Sequence, residues 1–135
     1  MSARFLLDTN IVSYLLKRQS QVAQSRFEAE GPDTVVVSAI TKAEIFFGLA
    51  RIRAATRLTS AAENFLSAVA VAPWDSAAAR TYGPLRAAQE RKGRPLSVED
   101  LMIAAHAISL GLILVTSDSA FSSIDGLRIE DWTRS

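Results

Sequence analysis

The chain has 135 residues, 49% of them apolar and 21% charged, a balance that excludes a low-hydrophobicity disordered segment and fits one globular domain spanning residues 1–135. Fifteen basic against 14 acidic residues leave a net charge of +1, which decides little about partners. With no cysteine, disulfides, cysteine-ligated zinc and thiol catalysis are excluded.

In chain order, Phe-Leu-Leu at 5–7 reads as a strand. A helix follows through Ile11, Val12, Leu15 and Leu16. A second helix covers about 20–30 and stops at the breaker pair Gly31-Pro32, ahead of the β-branched strand Thr-Val-Val-Val at 34–37. Ser38 to about Arg53 is helical, as is the stretch through Ala61, Phe65 and Leu66, which leads to a strand near 69–72. Asp75 or Ser76 caps a helix ending at Lys92-Gly93, and Ser97 starts another that Gly111 closes. Leu-Ile-Leu-Val at 112–115 and a short segment at 127–129 complete the strands. Short apolar strands alternating with helices predict an α/β fold, with a mostly parallel sheet of four to five strands flanked by helices. No apolar run approaches the roughly 20 residues that span a bilayer. Asp8 interrupts the only stretch resembling a signal core, so the expected location is the cytoplasm.

In such sheets, sites form outside the carboxyl ends of the strands. Asp8 follows the first strand and Asp118 follows Leu-Val-Thr-Ser. Two further acids, Glu44 and Asp100, stand at capping-box spacing from Thr41 and Ser97, so each has an ordinary structural role open to it. Helical geometry, however, places Asp100 on one face with Ile103, Ala104 and Ala107, and Glu44 with Ile40 and Phe47. Glu99 points elsewhere, toward solvent. Ionised carboxylates on buried faces are costly, and grouping them raises their pKa values. A divalent cation relieves both problems, and an all-oxygen donor set suits Mg2+ or Mn2+ better than zinc. Asn10, Ser38 and Thr116 are small polar neighbours that could orient carboxylates or waters, with capping and turn formation as their ordinary role. His106 is the single histidine, which leaves no second imidazole for a paired-histidine ribonuclease; a packed or solvated helix position is expected for it. Arg51, Arg53 and Arg57 form one basic cluster, and Arg91, Lys92 and Arg94 belong to another. Such runs are usually solvated faces, but here they could hold phosphates beside the acids.

Four ordered stretches, Leu-Leu-Asp-Thr-Asn-Ile at 6–11, Val-Ser-Ala-Ile-Thr-Lys-Ala-Glu-Ile at 37–45, residues 91–107 and Leu-Val-Thr-Ser-Asp-Ser-Ala-Phe at 114–121, resemble the PIN-domain ribonucleases. The closest likeness is to the VapC toxins of bacterial toxin–antitoxin pairs. Family members often carry Arg or Asn at the position of Ser117, and Asn in place of Asp118.

The resemblance implies an endoribonuclease dependent on Mg2+ or Mn2+, with Asp8, Glu44, Asp100 and Asp118 as catalytic acids. Asp8, Asp100 and Asp118 would ligate the metal, and Glu44 would bind a second ion, hold waters or take a proton. It also implies an RNA substrate, a cognate antitoxin, a homodimer and a toxin–antitoxin hetero-oligomer. The antitoxin could use an apolar groove near Ile11, Tyr14, Leu15, Phe46 and Phe47, residues for which core or dimer packing is the commoner role. Competing readings are a PIN fold that binds a partner or RNA without cleaving it, and a haloacid-dehalogenase-like phosphotransfer domain. The latter wants a second Asp where Asn10 stands. A receiver domain would need an acceptor Asp where a central strand ends in Ser38.

Overall fold

The computed structural model describes residues 2–52, 56–93 and 96–135. In chain order its elements are β1 (Phe5–Leu7), α1 (Thr9–Lys17), α2 (Gln21–Glu30), β2 (Val35–Ser38), α3 (Ala39–Ala50), α4 (Thr56–Ala68), β3 (Ala70–Ala72), α5 (Ser76–Lys92), α6 (Val98–Leu110), β4 (Ile113–Val115) and β5 (Ile129–Glu130). The five strands run in the order β3-β2-β1-β4-β5, and every pairing is parallel. The sheet is thus fully parallel where the sequence suggested mostly parallel. Two short 3-10 helices, Pro32–Thr34 and Ser119–Ser123, have no apolar period and were not foreseen; the second is capped by Asp118.

All three residues of β1 are fully buried because the strand lies between β2 and β4. Its side chains alternate: Phe5 and Leu7 join a core with Ile11, Val12 and Ala62, whereas Leu6 joins Ile103, Ala104 and Phe121 on the opposite face. Trp132 closes the first core edge-on against Phe5, with ring centroids 5.0 Å apart.

Register then places the site. Leu7 pairs with Val37 on one side and Val115 on the other, so the next residue of each central strand, Asp8, Ser38 and Thr116, stands in one row at the carboxyl edge. Helices start from that edge: Asp8 caps α1 and Ser38 caps α3. At the far end of α6, Gly111 in the left-handed conformation (φ 69°) turns the chain into β4.

Candidate active site at the carboxyl edge of the sheet

Asp8 is both the end of a strand and the start of a helix. Its N–H donates to the Val115 carbonyl at 3.0 Å, and its carboxylate accepts the Ile11 N–H at 2.9 Å. The residue is 4% exposed. Burial is the main reason its pKa is raised to about 6; the Thr116 hydroxyl and the Ile11 amide oppose that shift, and the charges of Asp100 and Asp118 add to it. Thr116, itself buried, accepts the Asp118 N–H at 3.0 Å, so one hydroxyl lies between two of the acids.

Asp118 accepts the Ala120 N–H at 2.9 Å, an ordinary cap that also fixes its carboxylate near Asp8 and Asp100. Asp100 lies in the first turn of α6, where its N–H donates to Ser97 Oγ at 3.0 Å. Partial burial raises its pKa, the Ser97 hydroxyl works against this, and Asp118 and Glu99 raise it further. The expected face is observed, because Ile103, Ala104 and Ala107 are buried while Glu99 is exposed.

Glu44 departs from the expectation. Its face is only half-buried, and Phe47 beside it is 64% exposed. Thr41 does not form a capping box with it: Ser38 takes the cap by accepting the Ile40 N–H at 3.0 Å, which leaves Thr41 buried inside the helix. Thr9 supplies the partner instead. Its hydroxyl reaches Glu44 Oε1 at 2.5 Å and Thr41 Oγ1 at 3.1 Å, joining α1 to α3. Burial raises the Glu44 pKa, the bond from Thr9 lowers it, and Asp100 and Glu99 raise it. Thr9 was missed as a site residue, and its only sequence signal was adjacency to Asp8.

Among the described residues, no ion pair includes Asp8, Glu44, Asp100 or Asp118. Nor, among the described residues, do any three acid or imidazole side chains stand close enough together to hold a metal ion as they lie. The acids are near enough to feel one another's charge, Asp100 and Asp118 on Asp8, Asp118 on Asp100 and Asp100 on Glu44, and no described salt bridge neutralises them.

Ser38 is fully buried, and its hydroxyl lies 2.8 Å from His106 Nδ1. The packed alternative for His106 holds, as it is 1% exposed. Burial lowers its pKa, against the pull of Asp75 and the Pro73 carbonyl. Asn10 is exposed on the first turn of α1.

The PIN-domain family matches residues 5–127. The chain belongs to that family, in its VapC group. It is 37% identical over 131 residues to the tRNA(fMet)-specific endonuclease VapC of Shigella flexneri, covering 96% of this chain and 98% of that protein. Identity to Ribonuclease VapC2 of Haemophilus influenzae is 35%, with the same coverage. Among solved structures, DNA-bound VapBC from Salmonella typhimurium superposes with a TM-score of 0.90 at 37% identity, over 96% of this chain and 98% of that one. VapBC2 from Rickettsia felis, bound to a DNA fragment from their promoter, gives 0.89 at 29% identity, over 95% and 98%. Membership of the PIN family sets aside the haloacid-dehalogenase and receiver readings.

The basic residues of this PIN domain divide by contact. Arg51 is exposed and sits over the Phe47 ring, 5.0 Å from its centroid. It lines a groove of about 160 Å³ together with Thr9, Lys17, Glu44 and Ile52, so this cation and one of the four acids share a channel between α1 and α3. Arg57 is exposed nearby, beside Lys17 and Arg18. Lys92 is committed elsewhere: it donates to the Ser123 carbonyl at 2.8 Å and pairs with Asp125 at 3.2 Å, tying α5 to the turn that carries Asp118. Arg91 is exposed, and Arg53 and Arg94 lie outside the described residues.

The apolar groove differs from expectation too. Ile11 and Leu15 are core residues packed against β1, with Tyr14 partly buried beside them, while Phe46 and Phe47 are exposed on α3. Those five residues do not form one surface. The apolar wall of the groove beside Glu44 consists of Leu16, Ile45, Leu49 and Leu58.

Proposed function

We propose that this VapC-type PIN protein is a divalent-metal-dependent endoribonuclease that acts in the cytoplasm as the toxin of a toxin–antitoxin pair. One observation carries the reading: Asp8 is buried at the carboxyl edge of the sheet with its pKa pushed to about 6, by burial first and then by the charges of Asp100 and Asp118, and no described salt bridge compensates it. A purely structural role would have been served by neutral caps at lower cost.

The residues fit a hard cation. Every donor is a carboxylate oxygen, the ligand type preferred by Mg2+, an ion that keeps several waters and needs only one or two protein carboxylates. Asp8, Asp100 and Asp118 are assigned to hold it. When bound, such an ion neutralises the acids and supplies Lewis acidity toward water and phosphate.

The protein's own groups do the rest. Glu44, raised in pKa and held by Thr9, is assigned to take a proton from the attacking water. Asn10, Ser38 and Thr116 are assigned to the surrounding polar layer, with Thr116 orienting Asp8 and Asp118. Arg51 and Arg57, together with Arg53, Arg91 and Arg94, are the residues assigned to flanking phosphates, whose binding weakens as salt rises; Lys92, held by Ser123 and Asp125, is withdrawn from that set.

The relatives support the substrate and partner. Those from Shigella and Haemophilus are named as an endonuclease specific for tRNA(fMet) and as a ribonuclease. VapBC-5 of Mycobacterium tuberculosis, 27% identical to this chain, is a member of the VapBC family of toxin–antitoxin systems. By the same likeness the chain is assigned a cognate antitoxin, a homodimer and a hetero-oligomer of the two.

The test is incubation of purified protein with structured RNAs in Mn2+, Mg2+ or EDTA, alongside Asp8→Asn. Cleavage that needs the cation and vanishes in the variant is expected. Equal cleavage by the variant, or cleavage that persists in EDTA, would overturn the reading.

A further inference from the structure

One buried polar group has no part in the chemistry above. His106 is 1% exposed on α6, six residues beyond Asp100. Nδ1 lies 2.8 Å from the Ser38 hydroxyl, and Nε2 is buried with no hydrogen-bond partner. A leucine would fill such a space without leaving a polar atom unsatisfied, which ordinarily costs about 1–3 kcal/mol. The imidazole is therefore an expensive way to pack α6.

The bond network fixes what the ring can do. Ser38 Oγ already accepts the Ile40 N–H at 3.0 Å, so its own proton needs an acceptor. Nδ1 is that acceptor if the imidazole is neutral with its proton on Nε2, the ring nitrogen left without a partner. The opposite tautomer would put two donors on Ser38 and leave its proton without a partner.

This places the ring at a three-way junction. Ser38 ends β2 and caps α3, the helix of Glu44. α6 is the helix of Asp100 and packs on α3. The loop after β3 is held on α6 by Trp74, whose Nε1 donates to the Met102 carbonyl at 3.0 Å.

We propose that His106 is a positioning residue for the carboxylate site: through Ser38 its ring fixes the helix that carries Asp100 against the helix that carries Glu44. The inference rests on the nuclease reading. His106 touches neither RNA nor the acids; it sets the spacing across which they act.

The experiment compares wild type with His106→Leu, His106→Asn, Ser38→Ala and the His106→Leu/Ser38→Ala pair. It measures kcat and KM on one RNA in Mn2+, Mn2+ affinity by calorimetry, and thermal midpoint. Asp8→Asn runs in the same assay. His106→Leu and Ser38→Ala should each lower kcat about tenfold with KM changed less than about twofold, as expected for misplaced catalytic groups. The double variant should be no worse than Ser38→Ala alone, because both singles remove the Ser38–His106 contact and Ser38→Ala additionally loses the Ile40 cap. His106→Asn, which can offer an amide oxygen near the Nδ1 position, should recover most of the loss. Nitrogen NMR of the ring should find the proton on Nε2.

Wild-type kcat in His106→Leu, additive losses in the pair, or no recovery with Asn would overturn the proposal. If His106→Leu fails to fold, Ser38→Ala and His106→Asn decide it by their own kcat values and thermal midpoints. Full activity in Asp8→Asn would instead strike the nuclease reading, whereas a dead Asp8→Asn beside a fully active His106→Leu would strike this inference alone.

Discussion

The Thr9 hydroxyl lies 2.5 Å from Glu44 Oε1, joining the residue after one acid to another acid 35 positions away in sequence. The bond stabilises the ionised form of Glu44 against burial and against the charges of Asp100 and Glu99. Thr9→Val keeps the shape and deletes the donor. The Glu44 pKa should rise further, moving the acid limb of the pH–rate profile to higher pH, because the lost hydrogen bond favours the charged form. An unmoved profile would separate Glu44 from proton transfer.

Asp8 should trade stability for function. Its folded pKa of about 6 exceeds the ordinary 3.8, so the native state holds this proton more tightly than the unfolded chain. Stability from this group is therefore full below about pH 4 and is lost as pH rises through 6. At pH 8 the ionised residue costs up to about 3 kcal/mol, at about 1.4 kcal/mol per pKa unit. Asp8→Asn should accordingly be more stable than wild type at pH 8 in EDTA by about 1–3 kcal/mol, and the gap should close toward pH 4. Urea unfolding at the two pH values measures it.

Some of this was legible beforehand. The apolar period, the caps at Ser97 and Asp75, and the strand-end position of Asp8 are local features, and the elements they predict are observed. The misreadings involve residues whose partners are distant in sequence. Thr41 and Glu44 stand at capping-box spacing, but the box competes with a cap three residues earlier and with a hydroxyl from another helix. Ser38 and His106 meet across 68 positions, which no local pattern encodes. For Ile11 and Leu15 the commoner role, packing, is the one observed, once the sheet fixes which face α1 buries.

Cation binding should appear as a stability change in wild type only. A ligand that binds the native state adds about 2.7 kcal/mol at a hundredfold excess over its Kd, and here it also removes the repulsion among the acids. Mn2+ should raise the thermal midpoint of wild type and leave Asp8→Asn and Asp100→Asn nearly unmoved. Equal shifts in all three would place the ion elsewhere.

Arg51 and Lys92 should behave differently. Arg51→Ala should weaken RNA binding and flatten its salt dependence, by close to one counterion's worth, with little change in stability. Lys92→Ala removes the tie between α5 and the Ser123 turn, so its loss should fall on stability and kcat more than on the salt slope. Filter binding across a salt series distinguishes them.

Asp8 and Asp100 are expected to share one divalent cation. Anomalous scattering from Mn2+-soaked crystals of the wild-type protein tests it most directly. A peak within ligand distance of both carboxylates is expected; a protein that cleaves RNA in Mn2+ yet shows no peak there, or binds the ion only at another place, would rule out the shared cation.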